Sequence, residues 1–407
     1  MTTPRERVMR ALNFQPTDRV PRDLAGMRST GISVFAYPPL IEALDLPPRL
    51  PKAEDTYQML ALPELDVLDA LEIDVVTIAD DATNAFDQPD LWKPYDFGGR
   101  LPSVVRDPSR FHKKPDGTIV QGRLRMPPSS VVFDEVHGGQ PLDLMGDIPK
   151  PDLDEIKRAL DARLLTDAQV EAKRAFYQQV RETTDRAVFL NDGAVQMPIA
   201  IGGWGGLGVF PLLCVLEPDH IHALHEIYTQ YTEHNLRALM SAAGPYVDVI
   251  MMSADDWGTQ NTTIASPKVC RDLFVPYWRR LNDAVHEVAP DTKTFLHSCG
   301  AIYDVIDLVI EGGFDVLNPV QWCAGDHGYK EWKDRARGRI ALWGGGVDSQ
   351  HTLPLGTVDD VIAEVREVVS YMLQDSGFVF CNIHNIMAEI APEKVIAMYQ
   401  TAGEIQV

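Results

Sequence analysis

The strongest constraint on this chain is an alternation. Eight short apolar, β-prone runs recur along it, at residues 20–25, 75–79, 187–190, 247–252, 294–296, 316–317, 340–343 and 378–380. Between the later runs lie segments with helical spacing, at 266–288, 302–311, 358–373 and 392–405. Strand followed by helix, repeated, predicts parallel strands joined by helical crossovers. Eight such units predict an α/β chain closed into a (β/α)8 TIM barrel.

Two segments stand outside the repeat. At the start, Thr3 as N-cap, Pro4 in the first turn and Glu6 three residues after the cap predict a helix through Val8, Met9 and Leu12 that stops before Pro16. Residues 86–151 carry turn signals at Gly98 and Gly99, at Pro115, Asp116 and Gly117, and at Gly138 and Gly139, with a short alternating run at 118–125. They read as a β-hairpin excursion inserted after the second run and covering one barrel end. The expectation is a single barrel domain over residues 1–407, with 86–151 as its insertion.

Composition narrows the function. The chain has 37 Lys and Arg against 59 Asp and Glu, a formal charge of −22. That charge disfavours nucleic acid as a partner, because phosphates need a basic surface. It also opposes anionic membranes. No apolar run is long enough to span a bilayer, and no apolar h-region follows the first methionine. Five cysteines, an odd number gathered in the second half, argue against a disulfide framework. A cytoplasmic protein with free or metal-bound thiols is expected.

In a parallel barrel the reactive side chains sit at the carboxyl ends of the strands. The run at 294–296 leads into His297, Ser298, Cys299 and Gly300. Residues two apart in an extended segment share a face, so an imidazole and a thiol point into the mouth together. Nitrogen with sulfur is a ligand set that suits zinc. The last run ends in Cys381 and His384, across the ring; His384 is preferred as third ligand and Cys381 competes with it. Three protein ligands with one open position is the pattern of catalytic zinc.

Adjacent carboxylates end two further runs, Asp80 with Asp81 and Asp255 with Asp256. Asp256 and Asp81 are the candidates for proton transfer or substrate orientation, with helix capping or a hydrogen bond to the glycine-containing loop as the competing role. The glycine-rich stretch 201–208 lacks the Lys of a P-loop and reads as a βα loop near the mouth. His220, His222 and His225 read as a solvated helix face.

Taken together, these strand ends resemble the uroporphyrinogen decarboxylase superfamily, and within it the zinc-dependent methyltransferases that work with corrinoid proteins. The resemblance rests on Arg5 through Asn13 with Asp18, Arg19, Val20 and Pro21, on Asp255 through Gln260 with Ser266 and Pro267, and on His297 through Gly300. It continues with Asn318 through Gln321, Gly345 through Asp348, and His384 through Ile386. It implies a site at the carboxyl mouth and zinc held by His297, Cys299 and a last-strand ligand. That ligand is a cysteine in coenzyme M methyltransferases and looks like His384 here. In the decarboxylases the same position is an active-site histidine.

A porphyrinogen carries eight carboxylates, and the decarboxylases meet part of them with an arginine-bearing N-terminal motif. Only Arg28 remains of it in this chain. Methyl transfer from a small methoxylated donor, an aromatic one included, or from a methylamine is therefore the favoured reading, with a decarboxylase or lyase as runner-up and a non-catalytic ligand-binding barrel third. Zinc acts on the leaving heteroatom. Arg28, Trp204, Trp257, Gln260 and Trp322 are the candidate substrate contacts, ordinary packing being the competing role of the tryptophans. No corrinoid-binding domain is recognisable in these residues, so a separate corrinoid (cobalamin) protein is the expected acceptor, with a folate or a thiol as alternatives. The superfamily's habit implies a homodimer.

Overall fold

The computed structural model describes residues 2–135 and 148–405. The first helix spans Pro4–Leu12 and carries the full capping box: the Thr3 side chain accepts from the Glu6 N–H while the Glu6 carboxylate accepts from the Thr3 N–H. Its Val8 and Leu12 plug the bottom of the barrel.

Strands β1 (Ala53–Asp55) and β2 (Leu60–Ala61) form a small antiparallel pair. Strand β3 (Val75–Ala79) opens the main sheet, and β4 (Ala82–Thr83) turns back on it. Strands β5 (Lys93–Tyr95) and β6 (Ser103–Val105) pair antiparallel, as do β7 (His112–Lys113), β8 (Ile119–Gln121) and β9 (Leu124–Met126). Gly138 and Gly139, two of the turn signals, lie outside the described residues. Strands β10 (Ala187–Asn191), β11 (Val249–Ala254), β12 (Lys293–His297), β13 (Val316–Asn318), β14 (Ala341–Trp343) and β15 (Phe378–Val379) then join β3 in parallel, in chain order. The sheet is thus curled, eight-stranded and mostly parallel, of TIM-barrel-like architecture.

The first apolar run corrects the sequence expectation. Residues 20–25 form no ladder strand; Pro21 lacks an N–H and Ala25 has φ +61, so regular pairing cannot extend. A single parallel bridge survives, Arg22 with Phe380. Asp23 N–H donates to Phe380 O at 2.8 Å, and Asp74 N–H donates to Arg22 O at 2.8 Å. Residues 21–23 therefore link β15 to the start of β3. Asp74 locks the seam. It is fully buried and receives Arg7 at 2.6 Å, Arg19 at 2.7 Å and the Arg22 N–H at 2.9 Å. The segment 266–288 is likewise two helices, Pro267–Leu273 and Val275–Val288, broken at Phe274.

Inside the ring, alternate residues of each strand face inward. Val75, Phe189, Met251, Phe295, Val316, Trp343, Val379 and Cys381 fill the lumen. Two residues beyond Phe295 comes His297, and two beyond Val316 comes Asn318. Period-two alternation therefore carries both side chains inward at the carboxyl end, on top of the apolar filling. The two are also register partners in the β12–β13 ladder.

Candidate metal centre

Three ligand-type atoms converge at this mouth. One atom each from His297, Cys299 and His384 lie within 4.8 Å of one another. Cys299 Sγ is 3.3 Å from His297 Nε2, and the two imidazole rings meet edge to face at 5.4 Å. β12 delivers His297 at its last residue. Cys299 follows in a turn that Gly300, at φ +87, completes. His384 sits beyond β15 at φ +63, and Asn382 Nδ2 donates to its carbonyl at 2.7 Å.

Cys381, the competing ligand, is fully buried in the apolar lumen, and burial holds its thiol well above the ordinary range. It is not part of the convergent group.

Neighbouring strands brace the cluster. His297 Nδ1 is 2.6 Å from Asn318 Oδ1, and Asn318 Nδ2 donates to Trp343 O at 2.8 Å. Gln321 Oε1 accepts from Gly300 N–H at 2.7 Å. Asn318 and Gln321 had no assigned role from sequence. The available signal was the inward parity of Asn318 at a strand end, beside a histidine of the same parity.

Asp256 is at the cluster. Its Oδ1 accepts from Cys299 N–H at 2.9 Å and lies 3.6 Å from His297 Nε2. Burial in the concave mouth works to raise its pKa, but His297, the Cys299 N–H and His384 outweigh that and hold it below the usual carboxylate value. Asp255 has the structural role instead. Both its oxygens accept from Ile201 N–H, at 2.8 and 2.7 Å, anchoring the glycine-rich loop, and burial raises it to about 7.

The donor set fits a zinc ion. Burial and the Asp256 carboxylate both push the Cys299 thiol well up, so a cation is what would favour a thiolate there. Burial also lowers His384 to about 4, which keeps its imidazole neutral and able to donate a lone pair.

The remaining sequence candidates divide. Asp81 ion-pairs with Arg106 at 2.9 Å and is largely exposed. Arg28 is held by Glu54 at 3.2 Å, Asp80 at 3.4 Å and Asp55 at 3.6 Å, on the wall of a cavity of about 270 Å³ that Arg106 and Arg110 also line. Its guanidinium is already committed to three carboxylates. Trp257 is buried and packs edge-on against Phe274 and Trp278 at 4.6 and 5.9 Å, so it joins sheet to helix rather than walling the mouth. Trp204 is half-buried. Trp322, also half-buried, donates through Nε1 to Gly345 O at 2.7 Å. Gln260 exchanges amide hydrogen bonds with Gln350 at 3.1 and 3.3 Å, tying two mouth loops together. His225 is fully buried among Phe210, Phe274 and Tyr277, with Nδ1 2.8 Å from Leu273 O, and corrects the expected solvated face.

No helix among the described residues is long and apolar enough to cross a membrane. No curated protein matches the chain. Among solved structures, a methyltransferase from Methanosarcina mazei is 18% identical, covers 99% of this chain and 99% of its own, and superposes with a TM-score of 0.51, so the two share a fold along their length. Xylanase B from Clostridium stercorarium F9 is 8% identical over 54% of this chain and 73% of its own, with a TM-score of 0.29. The uroporphyrinogen decarboxylase (URO-D) family model matches residues 206–405, the span that supplies His297, Cys299, Asn318 and His384. Over that span, just under half of the chain, the sequence is similar to the uroporphyrinogen decarboxylase family.

Proposed function

We propose that this protein is a zinc-dependent methyltransferase. It takes a methyl group from a small methoxylated donor, an aromatic one included, or from a methylamine and passes it to a corrinoid carried on a separate protein. The supporting observation is the convergence of His297, Cys299 and His384 on one point of the mouth. Those three residues hold the ion. When bound, zinc supplies Lewis acidity to the donor's heteroatom, which must leave with the electron pair of the breaking methyl bond.

The chain's own residues do the rest. Asn318 and Gln321 fix the ligand turn from the adjacent strand. Asp256 holds Cys299 N–H and offers the mouth a carboxylate that orients a donor group of the substrate. Trp204, Trp322 and Gln260 border the mouth loops as substrate contacts. The carboxylates around Arg28 leave it a poor partner for an anionic substrate, which favours neutral or cationic donors over a polycarboxylate. A homodimer and a single barrel domain with residues 86–151 as an inserted cover belong to the same proposal.

The test is a donor screen. Methoxy-aromatic compounds and methylamines are offered to the purified enzyme with reduced cobalamin, following methylcobalamin by absorbance. Methylation by wild type and its loss in H297A support the proposal. Carbon dioxide release from a carboxylated substrate without methyl transfer moves the assignment to a decarboxylase, and binding without turnover to a non-catalytic barrel.

A further inference from the structure

We infer that Asn318 is the positioning residue that sets which nitrogen of His297 faces the mouth. The inference rests on the metal reading for its affinity readout, whereas the tautomer is a property of the chain alone.

An asparagine side chain has one acceptor oxygen and two N–H donors. In Asn318 the nitrogen is committed, because Nδ2 donates to Trp343 O at 2.8 Å. Flipping the amide would set its oxygen against that carbonyl oxygen. Oδ1 is therefore the atom that meets His297 Nδ1 at 2.6 Å, and it can only accept. Nδ1 must carry a proton, and in the neutral ring this leaves Nε2 with its lone pair. Nε2 is also the ring nitrogen 3.3 Å from Cys299 Sγ, on the side of the cluster.

Asn318 is fully buried, which leaves no solvent to replace its oxygen. The same four-residue segment holds the rest of the turn: Ser298 N–H donates to Asn318 O at 2.8 Å, and Gly300 N–H donates to Gln321 Oε1 at 2.7 Å. Residues 318–321 thus form a template on which 297–300 is laid. In metal sites, partners that fix the tautomer of a histidine ligand commonly control affinity.

The experiment uses the full chain labelled with 15N-histidine. Long-range proton–nitrogen spectra of the metal-free protein, with H297A to assign the signal, read the tautomer directly. Zinc affinity is then measured by competition with a chromogenic chelator for wild type, N318A and N318D. We expect His297 to be protonated at Nδ1 in wild type. N318A should mix the tautomers and weaken zinc binding by roughly 10–100-fold. N318D keeps an acceptor facing Nδ1 although it loses the hydrogen bond to Trp343 O, so it should keep the proton on Nδ1 while being less stable than wild type, a separation that a merely structural role would not predict. Protonation at Nε2 in wild type overturns the inference without any variant. So does an N318A protein that folds with unchanged tautomer and affinity. If wild type binds no zinc, the metal reading fails while the spectra still decide the role of Asn318.

Discussion

Gly258 and Gly300, in the loops that follow the neighbouring strands β11 and β12, meet backbone to backbone. A Cβ on Gly300 would lie 2.3 Å from the Gly258 carbonyl carbon, and one on Gly258 would lie 2.4 Å from Ala301 N. Gly258 N–H donates to Cys299 O at 3.0 Å, so the loop after β11 clamps the turn that presents the thiol.

Gly300→Ala should therefore displace Cys299. The close approach and the positive φ together predict a loss of about 2–4 kcal/mol of stability. The expected result in urea titration and metal analysis is a destabilised protein with weakened zinc binding. A variant equal to wild type in both would show that the loops do not constrain each other.

Cys381 provides the contrasting case. It shares the last-strand end with His384 but lies in the apolar lumen. Cys381→Ala removes one buried sulfur and should cost about 1–2 kcal/mol. Its zinc content should stay at the wild-type level. Loss of metal from this variant would return Cys381 to the ligand set.

The seam at Asp74 tests how the ring is held together. Asp74→Ala takes the buried carboxylate from Arg7, which keeps only the exposed Asp18, and from the half-buried Arg19, and removes the acceptor for Arg22 N–H. Breaking a buried charge network by one partner typically costs ~3–5 kcal/mol. Thermal or urea unfolding should show a loss of that size, and a loss under 1 kcal/mol would contradict a seam that depends on this carboxylate.

Asp23 gives stability a pH dependence. Burial raises its pKa from 3.8 to about 6, although Thr30, Trp343 and Gly26 donate to it. The folded state thus binds the proton more tightly than the unfolded state. The stabilisation is fully present below the unfolded pKa and is lost as pH rises through 6. Between pH 4 and pH 7 the loss from this group is about 2 kcal/mol. Asp23→Asn should flatten the pH profile of unfolding free energy by that amount; a variant profile parallel to wild type would assign the pH dependence elsewhere.

The barrel-like architecture was legible because it rests on periodicities. Seven of the eight apolar runs are parallel strands, and the capping box of Thr3 and Glu6 formed as read. His297 and Cys299 were legible for the same reason: spacing and chain position decide which way they point. The first run misled because Pro21 and Ala25 permit a bridge but not a ladder, a limit set by backbone geometry rather than hydropathy. Trp257 was misplaced because its position at a strand end does not reveal the Phe274 and Trp278 rings that bury it. Asn318 was read as part of the resemblance but given no role, because its partner is fixed by inter-strand register, which one strand read alone does not contain.

The proposed chemistry depends on one zinc ion shared by His297, Cys299 and His384. Metal analysis of protein purified from zinc-replete cells tests it most directly, comparing wild type with His297→Ala, Cys299→Ser and His384→Ala, each checked for folding by circular dichroism. The account predicts about one zinc per wild-type chain, as for a three-ligand site with an open position, and a marked loss in each folded variant. Wild-type protein without zinc, or folded variants that all retain it, would contradict the account.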